Sequence, residues 1–73
     1  GKARICVADA NKPNMIGQLS ATLGAAGINI AQMHNASRGD HAYNLVDVDN
    51  DVGPEVVEHL RAIDGVLSVR VIA

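Results

Sequence analysis

The sequence is short of what usually staples or specialises a small protein. It has one cysteine, Cys6, so no disulfide can form within the chain. A single free thiol fits a reducing compartment, and the expectation is a cytoplasmic protein. Three histidines, His34, His41 and His59, stand without the spacing of metal ligands, so no metal site is expected. There is no tryptophan or phenylalanine, and Tyr43 is the one aromatic residue. A platform for stacking unpaired bases is thereby excluded. Six Lys/Arg residues against eight acids leave a net charge of -2, and the cations are scattered rather than clustered. Binding to a phosphate backbone needs clustered cations, so nucleic acid is a poor partner. No apolar run is long enough to span a bilayer, and no secretory leader pattern is present, so no membrane partner is expected. A first residue that is Gly1 rather than methionine suggests an excised piece or a processed chain.

What remains is an aliphatic chain. Of its 73 residues 48% are hydrophobic, and these are mostly Val, Ile, Leu, Ala and Met. A core of this size is marginal by itself, which points to a partner surface as the source of extra stability.

Residues 3–9 are rich in β-branched side chains and read as a strand. Asn11-Lys12-Pro13-Asn14 is a loop. Met15, Ile16, Leu19, Leu23 and Ala26 recur at helical spacing, with Asn14 as the expected N-cap and Gly27 as the left-handed closing residue. Residues 28–37 form a second strand, Arg38-Gly39-Asp40 a turn, and residues 41–49 a third strand. Gly53-Pro54-Glu55 opens a second helix, with an acid near the positive end of its dipole. Val56, Val57, Leu60 and Ile63 make its buried stripe. Gly65 closes it, and residues 66–72 are the last strand. This order predicts an α+β, ferredoxin-like βαββαβ fold, a four-stranded antiparallel sheet with two helices on one face.

Two places stand out for chemistry. Asp9-Ala10-Asn11-Lys12-Pro13-Asn14-Met15-Ile16-Gly17 is a polar loop running into a helix start. Free amides and the positive dipole end there suit a carboxylate, and Gly17 admits a ligand close to the backbone. Asp9, ending the first strand, is placed to meet an ammonium. The plainer reading is a capped helix after an ordinary connection. Asn29, between Ile28 and Ile30, offers both a donor and an acceptor, as a zwitterion requires. Its plainer role is to tie down the turn from helix to strand. Asp47, Asp49 and Asp51 alternate, which suits a solvated rim better than a cation site. Arg38-Gly39-Asp40 and the sequon Asn35-Ala36-Ser37 read as plain hairpin sequence. Cys6 reads as a small core filler. No nucleophile and base are arranged for catalysis, so no enzyme activity is expected of this chain.

The strand ending Asp9-x-Asn11-x-Pro13, the helix start Met15-Ile16, and Gly27-Ile28-Asn29-Ile30 together resemble the ACT domain, a regulatory module of amino-acid metabolism. Residues 62–70, Ala-Ile-Asp-Gly-Val-Leu-Ser-Val-Arg, also resemble it, and the likeness covers essentially residues 1–73. Within the family, the hairpin Ser37-Arg38-Gly39-Asp40-x-Ala42-Tyr43-x-Leu45-Val46-Asp47 is similar to that of the serine-sensing regulatory domains of D-3-phosphoglycerate dehydrogenases. The resemblance implies two copies joined through sheet edges as a homodimer, with L-serine or another amino acid at the interface. It implies a ligand site from Asp9, Asn11, Pro13, Asn14, Met15, Ile16 and Gly17 of one copy, with Asn29 and Ile30 of its neighbour. Asp9 stands where some members have histidine, and Asn14 where many have glycine. No cofactor is expected in this domain; NAD would belong to a separate catalytic part. A ligand-free dimerisation module, or a regulatory domain of another enzyme of amino-acid metabolism, is the alternative.

Overall fold

A computed structural model describes residues 2–72. The elements follow the order β1 (Ala3–Asp9), α1 (Met15–Ala25), β2 (Ile30–Arg38), β3 (His41–Val48), α2 (Pro54–Arg61) and β4 (Val66–Ile72). The four strands form one sheet in the order β2-β3-β1-β4, with every neighbouring pair antiparallel. This is the expected ferredoxin-like arrangement.

One sheet face makes the core. Alternation puts Ile5, Val7 and Asp9 of β1 and Ala42, Asn44, Val46 and Val48 of β3 on the buried side. Leu19 and Leu23 of α1 and Val56 and Leu60 of α2 pack against them. The buried hydrophobic side chains are aliphatic or methionine, so their packing relies on volume rather than aromatic stacking. The opposite face carries Tyr43, Leu45 and Ile72, all exposed among polar neighbours.

The helix ends show how local sequence sets the chain path. After α1, Gly27 adopts φ 74°. The Ile28 N–H donates to the Leu23 carbonyl at 3.0 Å and the Gly27 N–H to the Gly24 carbonyl at 3.0 Å. That double closure is the Schellman arrangement, with Ile28 and Leu23 meeting in the core. At α2, Gly53 is the N-cap and Pro54 opens the helix. The reading of Gly65 needs correction. The helix ends at Arg61, and Gly65, at φ 98°, serves the turn that follows. That turn is closed by the Val66 N–H donating to the Ile63 carbonyl at 3.1 Å.

Asn14 is also corrected. It stands at the N-cap position of α1, but in the left-handed conformation, and its side chain makes no capping hydrogen bond. Its carbonyl instead accepts the Gln18 N–H at 3.0 Å. The second strand starts later than expected, at Ile30, so Asn29 lies in the connection before it.

Candidate ligand pocket

A cavity of about 310 Å³ opens where β1 ends and α1 begins, lined by Asp9, Asn11, Lys12, Asn14, Met15, Ile16, Gly17, Asn35 and Ala42. Six of the expected site residues therefore share one pocket: Asp9, Asn11, Asn14, Met15, Ile16 and Gly17. Pro13 belongs to the same loop without lining the cavity.

The loop is held from several sides. The Ala10 N–H donates to the Gly65 carbonyl at 2.8 Å. The Asn11 N–H donates to Asp9 Oδ1 at 2.7 Å, an Asx turn, and Asn11 Nδ2 donates to the Gly39 carbonyl at 3.3 Å. Lys12 Nζ pairs with Asp64 at 2.6 Å. Hydrogen bonding and attraction from Lys12 hold the Asp64 carboxyl below its ordinary range. Asn11 and Asn14 both take positive φ, 54° and 61°. Apart from glycine, asparagine is the residue that accepts this conformation most readily, which accounts for both positions. Gly17 leaves room over the first turn; a β-carbon there would collide with Asn14 Oδ1.

Asp9 is buried, at 1% exposure, at a register shift between β1 and β4. A buried carboxylate needs hydrogen-bond donors, and it has two. Besides the Asn11 N–H, Asn44 Nδ2 donates to Asp9 Oδ2 at 2.6 Å. Asn44 is equally buried, and its Oδ1 accepts from Asn35 Nδ2 at 2.6 Å. Sequence reading missed Lys12, Asn35, Ala42 and Asn44. For Asn44 a signal existed: it interrupts the inward series Ala42, Val46, Val48 with an amide.

Asn29 and Ile30 stand elsewhere. Ile30 pairs with Val48, whereas the pocket end of the sheet is where Ser37 and Asp9 each pair with Ala42. Within one chain the two ends of β2 separate Asn29 from the pocket. Asn29 Nδ2 donates to Asp49 Oδ2 at 2.6 Å, and its N–H donates to Asn50 Oδ1 at 2.8 Å. The alternating acids are each engaged: Asp47 with Arg4, Asp49 with Asn29, and Asp51 with Lys2. The hydrogen bond from Arg4 lowers the Asp47 pKa, and the same contact raises that of Arg4. Among the described residues no group of three His, Cys, Asp or Glu side chains is placed to hold a metal ion. No described helix is long and apolar enough to cross a membrane.

No family model matches the chain. A stretch of 64 residues is 36% identical to D-3-phosphoglycerate dehydrogenase of Methanocaldococcus jannaschii, spanning 85% of this chain and 12% of that enzyme. The chain thus corresponds to a small part of its curated relative. The ACT domain from GTP pyrophosphokinase of Chlorobium tepidum superposes with a TM-score of 0.74 at 20% identity, covering 96% of this chain and 95% of that one. This chain has the ACT-domain fold. The regulatory subunit of aspartate kinase from Thermus thermophilus, in its ligand-free form, shares that fold with a TM-score of 0.78 at 16% identity, covering 97% of this chain and 50% of the other. The ACT fold puts the pocket at the β1–α1 connection and leaves β2 as an open sheet edge.

Proposed function

We propose that this chain is a regulatory domain that binds a small amino acid, L-serine before others, within a relative of D-3-phosphoglycerate dehydrogenase. One observation carries the reading. A single cavity is lined both by the first turn of α1 and by the buried Asp9 carboxylate with the amides of Asn11 and Asn35. The first three N–H groups of a helix have no partner within it and favour an anion, so the turn at Met15, Ile16 and Gly17 suits a carboxylate. The opposite wall, where the Asp9 carboxylate orients the neighbouring amides, suits the ammonium. Sequence similarity to D-3-phosphoglycerate dehydrogenase, whose serine-sensing regulatory domains the hairpin resembles, favours serine.

The proposal includes a second copy. β2 is an edge strand, and two-fold antiparallel pairing of β2 with its equivalent sets the start of one strand beside the end of the other. Asn29, just before β2, then approaches the partner's pocket, which borders Asn35 near the far end of that strand. A ligand held by both copies stabilises their pairing by mass action, and pairing transmits its effect to an attached catalytic part by linkage.

L-Serine at a hundred times its dissociation constant contributes about 2.7 kcal/mol. For a domain this small that raises the thermal midpoint by roughly 10 °C or more. Thermal melts with each of the twenty amino acids at millimolar concentration test this. No rise with any of them sinks the reading. One observation favours a ligand-independent assembly module instead: the Asn29 amide is already held by Asp49. That module sediments as a dimer without any amino acid, and its melting point stays unmoved.

A further inference from the structure

The buried side of the pocket has a feature that ligand binding in general does not require. Asp9, Asn44 and Asn35 form an unbroken hydrogen-bonded series from the core to the cavity wall. Its first two members are each 1% exposed. Each link has a direction. An ionised carboxylate only accepts hydrogen bonds, so Asn44 must turn its NH2 group toward Asp9. The Asn44 carbonyl oxygen then faces Asn35, which must answer with its own NH2 group. Asn35 Oδ1 is left over, and among the described residues nothing donates to it. Asn35 lines the cavity. The chemistry of one buried acid thereby decides which end of a distant amide stays available.

We propose that Asp9, acting through Asn44, holds Asn35 with its amide oxygen available to the pocket, and that this acceptor selects ligands bearing an ammonium over their hydroxy-acid counterparts. An ammonium can only donate, whereas a hydroxyl donates or accepts, so the two respond differently to the orientation of this amide. Asn35 contacts the ligand. Asp9 and Asn44 are positioning residues. This proposal rests on the amino-acid-binding reading above and adds the source of its selectivity.

Substitution of Asp9 by asparagine makes a definite prediction. The Asn11 N–H still needs an acceptor, so the new side chain keeps its oxygen there and turns its NH2 group to Asn44. Asn44 must flip, Asn35 must flip after it, and an NH2 group becomes the free end. The double variant Asp9→Asn/Asn44→Asp reverses this. Its carboxylate, one position along, again accepts from Asn35 and restores the original orientation. The total charge is unchanged from the parent.

Two measurements on the 73-residue chain test the idea. Side-chain amide hydrogen exchange by nuclear magnetic resonance reads the orientation without any ligand. The Asn35 NH2 group should exchange slowly in the parent, quickly in D9N and slowly again in the double variant. Equal protection in all three overturns the relay. Calorimetric titration with L-serine and with glycerate, which has the same skeleton with a hydroxyl for the ammonium, reads the selectivity. The serine-to-glycerate affinity ratio should fall at least tenfold in D9N and recover in the double variant. An unchanged ratio in D9N overturns the selectivity claim while leaving amino-acid binding intact. Failure of the parent to bind any of the twenty amino acids removes the amino-acid reading and the selectivity claim with it, even where the exchange pattern holds.

Discussion

Asparagine does three different jobs around this pocket, and each follows from a different property of the side chain. At positions 11 and 14 it supplies a left-handed backbone that other side chains resist. At 44 and 35 it passes hydrogen-bond direction from a buried acid to a cavity. At 29 it joins the start of β2 to the end of β3. The first job has a simple test. Asn14→Ala should destabilise the domain by about 1 kcal/mol, since alanine pays the full left-handed cost. Asn14→Gly should leave stability unchanged or raised by a few tenths. Urea unfolding of both variants measures the difference, and equal losses would mean that the side chain rather than the backbone matters. The sequence shows asparagine at 14 but not its conformation, so a conventional N-cap was the natural reading. Deciding between the two takes the dihedral angle.

At the scale of elements, the strands and helices were legible because their side chains repeat with the right period. The inward face of β3 and the stripes of α1 and α2 are plain in the chain, and turns fall at Gly27, Gly39 and Gly65. Fine boundaries were less legible. Gly65 follows a helix closely in sequence, yet the Ile63–Val66 turn intervenes. That turn matters to the pocket, because it braces the β1–α1 loop through Ala10 and through the Lys12–Asp64 pair. The lowered Asp64 pKa sets the sign of its pH dependence. A carboxyl depressed in the folded state contributes stability above its unfolded value, about pH 4, and loses it as pH falls through the folded value. The parent should therefore lose loop order as the pH drops below about 4. The Asp64→Asn variant should lack that component. Amide exchange at Asn11 and Lys12 across this range measures it; identical profiles in the two proteins would show that the pair does not brace the loop.

At the scale of the molecule, the distance between Asn29 and the pocket becomes a prediction about assembly. Asn11 and Asn29 lie at opposite ends of the sheet in one chain, so a site using both is shared between copies. Asn11→Ala and Asn29→Ala should each abolish the thermal response to L-serine. Mixed in equal amounts and allowed to exchange, half the dimers hold one of each kind. Each of those has one site with both asparagines intact, so about a quarter of the sites should return. Titration of the mixture counts them. No recovery in a mixture shown to exchange would place the whole site within a single chain.

The sequence by itself determined the order of elements, the aliphatic core and the loop that carries the pocket. Those depend on local periodicity and on residues with strong backbone preferences, which act over a few positions. It also singled out Asp9, Asn11 and Pro13 through Gly17, because a polar loop before a helix start is a local pattern. Tertiary structure alone decided that Asp9 points inward to Asn44, that Asn35 closes the series, and that Asn29 belongs to the other end of the sheet. Each of these depends on strand register across 9 to 35 residues of sequence. Register arises from the packing of whole faces, and no single stretch of chain contains it.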